Sequence, residues 1–138
     1  MELVSRFPER FEVVALAAGA NVGRLKEQIE RFSPRLVSVA DGGDAAALAD
    51  SLACSMERPP EVVHGDRGLV RVATASGTDT LLSALVGAVG LEPTVAAVDA
   101  GIDVALANKE VMVAAGELVR DRAQRAGVRL LPVDSEHN

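Results

Sequence analysis

The side chains of this 138-residue chain best suited to chemistry fall in three short clusters: Gly19-Ala20-Asn21, Asn108-Lys109-Glu110 and Asp134-Ser135-Glu136. Asp134 and Glu136 are the most suggestive. In extended chain, residues i and i+2 point the same way, about 6.5–7 Å apart. Two carboxylates held like that repel unless something positive lies between them. A hard divalent cation such as Mg²⁺ or Mn²⁺, which prefers oxygen ligands, suits the pair. A solvated acidic turn is the commoner setting of such a spacing, so the pair alone leaves both readings open. Lys109 follows an apolar run and opens a helical one, a place from which an ammonium can reach a phosphate or a substrate oxygen. A solvated lysine is the plainer alternative. Glu110 falls in the first helical turn, where the helix dipole favours a carboxylate. Asn108 and Asn21 both read as helix caps.

Gly19-Ala20-Asn21 sits where a dinucleotide domain selective for NAD usually carries an acid for the ribose hydroxyls. The acid is missing, and Arg24 stands one turn further on. If a dinucleotide binds, the phosphorylated form is favoured. Arg24 as an ordinary solvated residue remains open. No GxGxxG loop is present. Gly87-Ala88-Val89-Gly90 has the wrong spacing and reads as a close backbone approach or a tight turn. His64 ends an apolar run with no second ligand at metal spacing and reads as structural. His137 lies beside the acidic pair without further context.

These clusters need elements to position them. Short runs rich in Val and Leu predict strands at 11–18, 35–40, 61–64, 80–86, 103–107 and 128–133. The runs are apolar without alternation, as in parallel sheets covered on both faces. Helices lie between them. One is capped by Asn21, carries Val22, Leu25, Ile29 and Phe32 as its stripe, and stops at Pro34. A second spans 44–56 with Leu48, Leu52 and Met56. A third starts near Pro93 and ends at Gly101. The last, about 109–126, has Met112, Ala115, Val119, Ala123 and Ala126 on one face and an Asp121–Arg125 pair. Gly42-Gly43 and 75–79 read as loops. Strand alternating with helix predicts a doubly wound α/β domain, whose ligands bind beyond the carboxyl ends of its strands. All three polar clusters fall at such ends.

Composition narrows the function. The net charge is −6 and no basic run exists, which disfavours duplex nucleic acid and anionic membranes. Three Phe with no Trp or Tyr leave little for base stacking. No apolar stretch approaches the ~20 residues of a bilayer span, and no secretory signal is visible. Cys54 is alone, so it reads as a small buried apolar residue. A cytoplasmic protein is expected.

Leu106-Ala107-Asn108-Lys109-Glu110 followed by Leu131-Pro132-Val133-Asp134-Ser135-Glu136-His137-Asn138 resembles the 1-deoxy-D-xylulose 5-phosphate reductoisomerases. Ala17-Ala18-Gly19-Ala20-Asn21-Val22 and Val86–Leu91 with Pro93-Thr94 are similar to two further elements of that family. The resemblance implies a Rossmann-like α/β fold, doubly wound, with a mostly parallel sheet and helices on both faces. It implies reduction and rearrangement of 1-deoxy-D-xylulose 5-phosphate to 2-C-methyl-D-erythritol 4-phosphate with NADPH and Mg²⁺ or Mn²⁺, a step toward isoprenoid precursors. Carried over, Asp134 and Glu136 are metal ligands, and Ser135 and Glu136 also contact substrate. Lys109 faces the substrate, so Lys109 and Glu136 are the catalytic candidates. Gly19, Ala20, Asn21, Asn108 and Glu110 line the NADPH site. The family often has a basic residue where Ala20 stands, which shifts 2′-phosphate recognition toward Arg24.

The resemblance also implies that residues 1–138 are a partial nucleotide-binding domain. The family's first strand and GxTGxxG loop, and its catalytic domain with a third metal carboxylate, are not in this sequence. Little or no turnover is then expected of this chain alone, and a homodimer of the complete protein. A non-catalytic nucleotide-binding module and an unrelated NADP-dependent dehydrogenase domain are the rival readings. In the common strand order 3-2-1-4-5-6 the missing strand lies mid-sheet, so its two neighbours would expose unpaired backbone groups. The chain made alone is therefore expected to be strained, aggregation-prone or oligomeric, with amide exchange as the measurement. Strong, uniform protection in a monomer is the contrary outcome.

Overall fold

The computed structural model describes residues 1–107 and 109–133, with backbone alone at Lys109 and Ala114. Two compact units divide the chain, Met1–Ala75 and Ser76–Asn138. The first contains α1 (Glu2–Arg6), β1 (Ala15–Ala17), α2 (Val22–Phe32), β2 (Leu36–Val39), α3 (Gly42–Ser55), β3 (Glu61–His64) and α4 (Gly65–Ala73). The second contains β4 (Thr80–Ser83), a 3-10 turn at Ala88–Gly90, α5 (Leu91–Asp99), β5 (Asp103–Leu106), α6 (Lys109–Ala126) and β6 (Leu130–Pro132). All six expected strands are present, several of them shorter than their apolar runs. They form two parallel three-stranded sheets, ordered β1-β2-β3 and β4-β5-β6. β1 and β4 are thus edge strands of their own sheets.

In the first unit the sheet is covered on both faces. β2 is buried along its whole length. Val37 and Val39 pack with Leu25 and Ile29 of α2 and with Ala45, Leu48 and Leu52 of α3. The opposite face carries Ser38, against which α4 lies through Gly68. That helix was not expected from sequence, because Gly65 and Gly68 obscure its pattern. Gly68 is there for space: a methyl group on it would sit 2.5 Å from the Ser38 hydroxyl and 3.2 Å from Val63 Cγ2. The Ser38 hydroxyl is buried and makes no hydrogen bond.

Two expectations are corrected here. Gly42-Gly43 is not a loop but the first turn of α3, because Asp41 caps it, accepting from Gly43 N–H at 2.7 Å and Asp44 N–H at 3.2 Å. Cys54 is exposed rather than buried. It lies two residues past Leu52, about 200° round the helix from the buried stripe.

In the second unit β4, β5 and β6 pair in parallel with Leu82 opposite Ala105 and Ala105 opposite Leu131. The buried face carries Ser83, Val104 and Leu106. Ser83 Oγ and Thr94 Oγ1 share a buried hydrogen bond of 2.9 Å that ties β4 to α5. α6 packs on α5 and buries Val111, Val119 and Ala123, and Arg122 meets Asp99 at 2.5 Å. The expected stripe is only partly right. Met112 is half-buried and Ala126 exposed, because the helix breaks at Ala115 (φ −148°, ψ 27°) and its face turns there. The row Leu82, Ala105, Leu131 on the other face is open, with Leu82 57% and Leu131 42% exposed. Apolar residues on both faces of a strand do not themselves supply the element that covers them. Gly101 (φ 77°) ends α5 as expected, and Asp121 pairs with Arg125 at 2.8 Å.

Arg129 clamps β6 to β5. Its backbone N–H and Nε each donate to Asp103 at 2.8 Å, and Nη2 does so at 2.5 Å. The side-chain bonds from Arg129, then its backbone N–H, hold the Asp103 carboxyl below the usual aspartate value. A depressed folded-state pKa contributes stability above the unfolded value and loses it as pH falls through the folded one. Denaturant midpoints measured from neutral to acid pH should therefore fall less steeply in Asp103→Asn than in the wild type. Gly68→Ala should cost about 1–3 kcal/mol by urea denaturation. Ser38→Ala should stay within about 1 kcal/mol of wild type and relieve part of the Gly68→Ala cost, since it removes the closest clashing atom.

Candidate functional site

Parallel pairing sends each strand's carboxyl end to one edge of its sheet, so the loops after the strands gather there. In the first unit, Ala18 N–H donates to Ser38 O at 2.9 Å, the last backbone link before Gly19. Gly19, Ala20 and Asn21 are exposed. A methyl added at Gly19 would meet nothing within 4 Å, so this backbone is open to approach. Asn21 caps α2, its Oδ1 accepting from Arg24 N–H at 3.0 Å, as its position suggested. Arg24 lines a groove of about 460 Å³ between α1 and α2, shared with Glu2, Arg6, Glu27 and Arg31. His64 is exposed and its ring lies over Gly42, where a methyl would meet Cε1 at 3.3 Å. That is packing at a helix start, in keeping with a structural histidine.

The carboxyl edge of the second sheet is built from three adjoining ends. β4 runs out through Val86, 86% exposed, to Gly87 at φ 83°. This left-handed turn, which glycine adopts freely, leads into the 3-10 turn and α5. The glycine-bearing segment is thus a tight turn, one of the two readings its sequence allowed. Ala107 N–H donates to Ser83 O at 2.9 Å, and Val133 N–H donates to Leu106 O at 2.9 Å. Ala107 and Val133, the described residues before Asn108 and Asp134, therefore leave neighbouring strands at one edge. Glu110, in the first turn of α6, accepts a hydrogen bond on Oε2 from Gly87 N–H. Sequence reasoning missed this link. Twenty-three residues separate its ends, and no periodicity signals it.

Asn108, Asp134, Ser135 and Glu136 lie outside the described residues, as does the side chain of Lys109. Among the described residues no three His, Cys, Asp or Glu side chains form a metal-binding group. Nor is any helix long and apolar enough to cross a membrane.

Parallel strands interleaved with helices, with polar loops and helix starts at the carboxyl ends, define the class: a Rossmann-like α/β fold. The sequence relatives narrow it. Residues 1–116 match the family model described as 1-deoxy-D-xylulose 5-phosphate reductoisomerase. The reductoisomerase of Symbiobacterium thermophilum is 55% identical over all of this chain, which covers 36% of the relative's length. The Zymomonas mobilis reductoisomerase in complex with NADPH superposes at TM-score 0.89 with 38% identity, over 99% of this chain and 35% of that one. A reductoisomerase in complex with NADPH, fosmidomycin and magnesium gives 0.90 with 34% identity, over 97% and 32%. This chain belongs to the 1-deoxy-D-xylulose 5-phosphate reductoisomerase family, and it spans about a third of the length of the relatives it matches.

The cap at Asn21 sets a test of local structure. Asn21→Ala should lower stability by about 1 kcal/mol, and Asn21→Asp should retain most of it, as read by urea denaturation.

Proposed function

We propose that this chain supplies the nucleotide-binding part of a reductoisomerase that converts 1-deoxy-D-xylulose 5-phosphate to 2-C-methyl-D-erythritol 4-phosphate with NADPH and Mg²⁺ or Mn²⁺. The observation that supports this best is the pairing of Val133 with Leu106. It sets Val133, the residue before Asp134, against the strand that leads to Asn108 and Lys109. When bound, the nicotinamide supplies hydride, and the cation polarises adjacent oxygens of the substrate.

The chain's own residues have narrower tasks. The Gly19-Ala20-Asn21 backbone, open above β1, takes the ribose end of the nucleotide, with Arg24 the nearby cation for a 2′-phosphate. Asn108 and Glu110 border the nicotinamide end. Lys109 meets the substrate at the start of α6, where the peptide dipoles also favour an anion. Asp134 and Glu136 would hold the metal, and Ser135 and Glu136 would contact substrate. In this reading residues 1–138 are one partial nucleotide-binding domain; the family's first strand and GxTGxxG loop supply the pyrophosphate site, and its catalytic domain supplies the third metal carboxylate and most substrate-phosphate contacts. The complete protein is a cytoplasmic homodimer that binds neither nucleic acid nor membranes.

Calorimetric titration of the chain with NADPH and NADH tests the proposal. NADPH should bind more tightly, and Arg24→Ala should narrow the preference by roughly tenfold, the worth of one charge-assisted contact. Absence of NADPH binding to the folded chain would overturn the nucleotide assignment. Steady-state assay with substrate, NADPH and Mg²⁺ should show little or no turnover. Native-like turnover would overturn the division of the site between domains.

A further inference from the structure

Glu110 has an ordinary explanation that needs no ligand: a carboxylate in the first turn of α6 is stabilised by the helix dipole. The geometry points to more. Its Oε2 accepts from Gly87 N–H, across twenty-three residues of sequence, and so joins the start of α6 to the turn that leaves β4. Gly87 is where the backbone turns left-handed (φ 83°), directly after the outward-facing Val86 and before the 3-10 turn Ala88–Gly90. A single-residue turn of this kind is a soft point in the chain, because glycine visits several backbone regions at little cost. A charge-assisted bond on its own N–H selects one of them.

We infer that Glu110 is a positioning residue whose carboxylate clasps Gly87 N–H and so fixes the height and direction of the Val86–Gly90 turn at the carboxyl edge of the second sheet. The clasp uses one carboxylate oxygen as its acceptor. The inference deepens the proposed function, resting on it for the place of Glu110 at the nicotinamide end of the nucleotide site. The clasp itself stands on geometry in this chain alone.

Two substitutions separate the clasp from the dipole. Glu110→Asp keeps the negative charge at the helix start but is one methylene too short to reach Gly87. Glu110→Gln keeps the reach and an acceptor oxygen but loses the charge. A role confined to the helix dipole ranks Asp with Glu and Gln below them. The clasp ranks Gln above Asp. Amide hydrogen exchange of Gly87, followed residue by residue in the full 138-residue chain, is the readout. Exchange should accelerate on the order of tenfold in Glu110→Asp and no more than a few-fold in Glu110→Gln, with amides of the first unit unchanged. Equal or reversed ranking would overturn the clasp.

NADPH affinity then tests its purpose. Gly87→Ala strains the same turn from its other side. If Glu110 acts through the turn, the losses of affinity from Glu110→Asp and Gly87→Ala should combine to less than their product. Losses that multiply fully would mean that Glu110 acts on the nucleotide independently of the turn. Failure of NADPH to bind the wild-type chain would count against the proposed function and leave the exchange result to decide the clasp.

Discussion

Parallel strand pairing is the constraint on which the rest depends. A parallel ladder needs a crossover between each pair of strands, so helices are forced into the sequence between them. The same geometry puts every carboxyl end, and every helix start, at one edge of a sheet. Leu36 to Val39 of β2, buried throughout and paired on both sides, is the clearest case. The loops at Gly19-Asn21, Asp41-Gly43 and His64-Gly65 follow from it without further instruction. In the second sheet the ladder between Leu106 and Pro132 does the equivalent work, carrying Ala107 and Val133 to one place.

Energetically the two units are built differently. The first is an interlocked core of Leu, Ile and Val between helices on both faces, tight enough that Gly68 has no room for a methyl beside Ser38. The second relies more on specific polar links: the Ser83–Thr94 hydroxyl pair inside, and the Asp103–Arg129 clamp between β5 and β6. The open row of Leu82, Ala105 and Leu131 is consistent with that difference, because a sheet buried on one face gains less from removing apolar surface from water.

Much of this was legible in the sequence. The non-alternating runs gave all six strands, and Asn21, Gly101 and the Asp121–Arg125 pair marked helix features correctly, because each rests on a local rule. What failed did so for physical reasons. α4 was hidden by glycines that are there for close packing rather than for turning. Gly42-Gly43 read as a loop because their low helix propensity was weighed without the cap that Asp41 provides. Residue type alone predicts a buried Cys54, whereas its helical phase turns it to solvent. Of the candidate site, the loop at Gly19-Asn21 and the start of α6 were found from position alone. The Glu110–Gly87 bond was not, since contact between distant residues leaves no periodic trace. The roles of Asn108, Lys109, Asp134, Ser135 and Glu136 came from family motifs, not from spacing.

The interruption at Ala115 gives α6 two mechanically distinct parts. The portion beyond it is fixed by Val119, Ala123 and the Arg122–Asp99 contact. The portion before it is a short rod of under two turns, held in its first turn by the Glu110–Gly87 bond and by buried Val111. Peptide dipoles add only where they align, so the field at the start of α6 is that of the short rod rather than of eighteen residues.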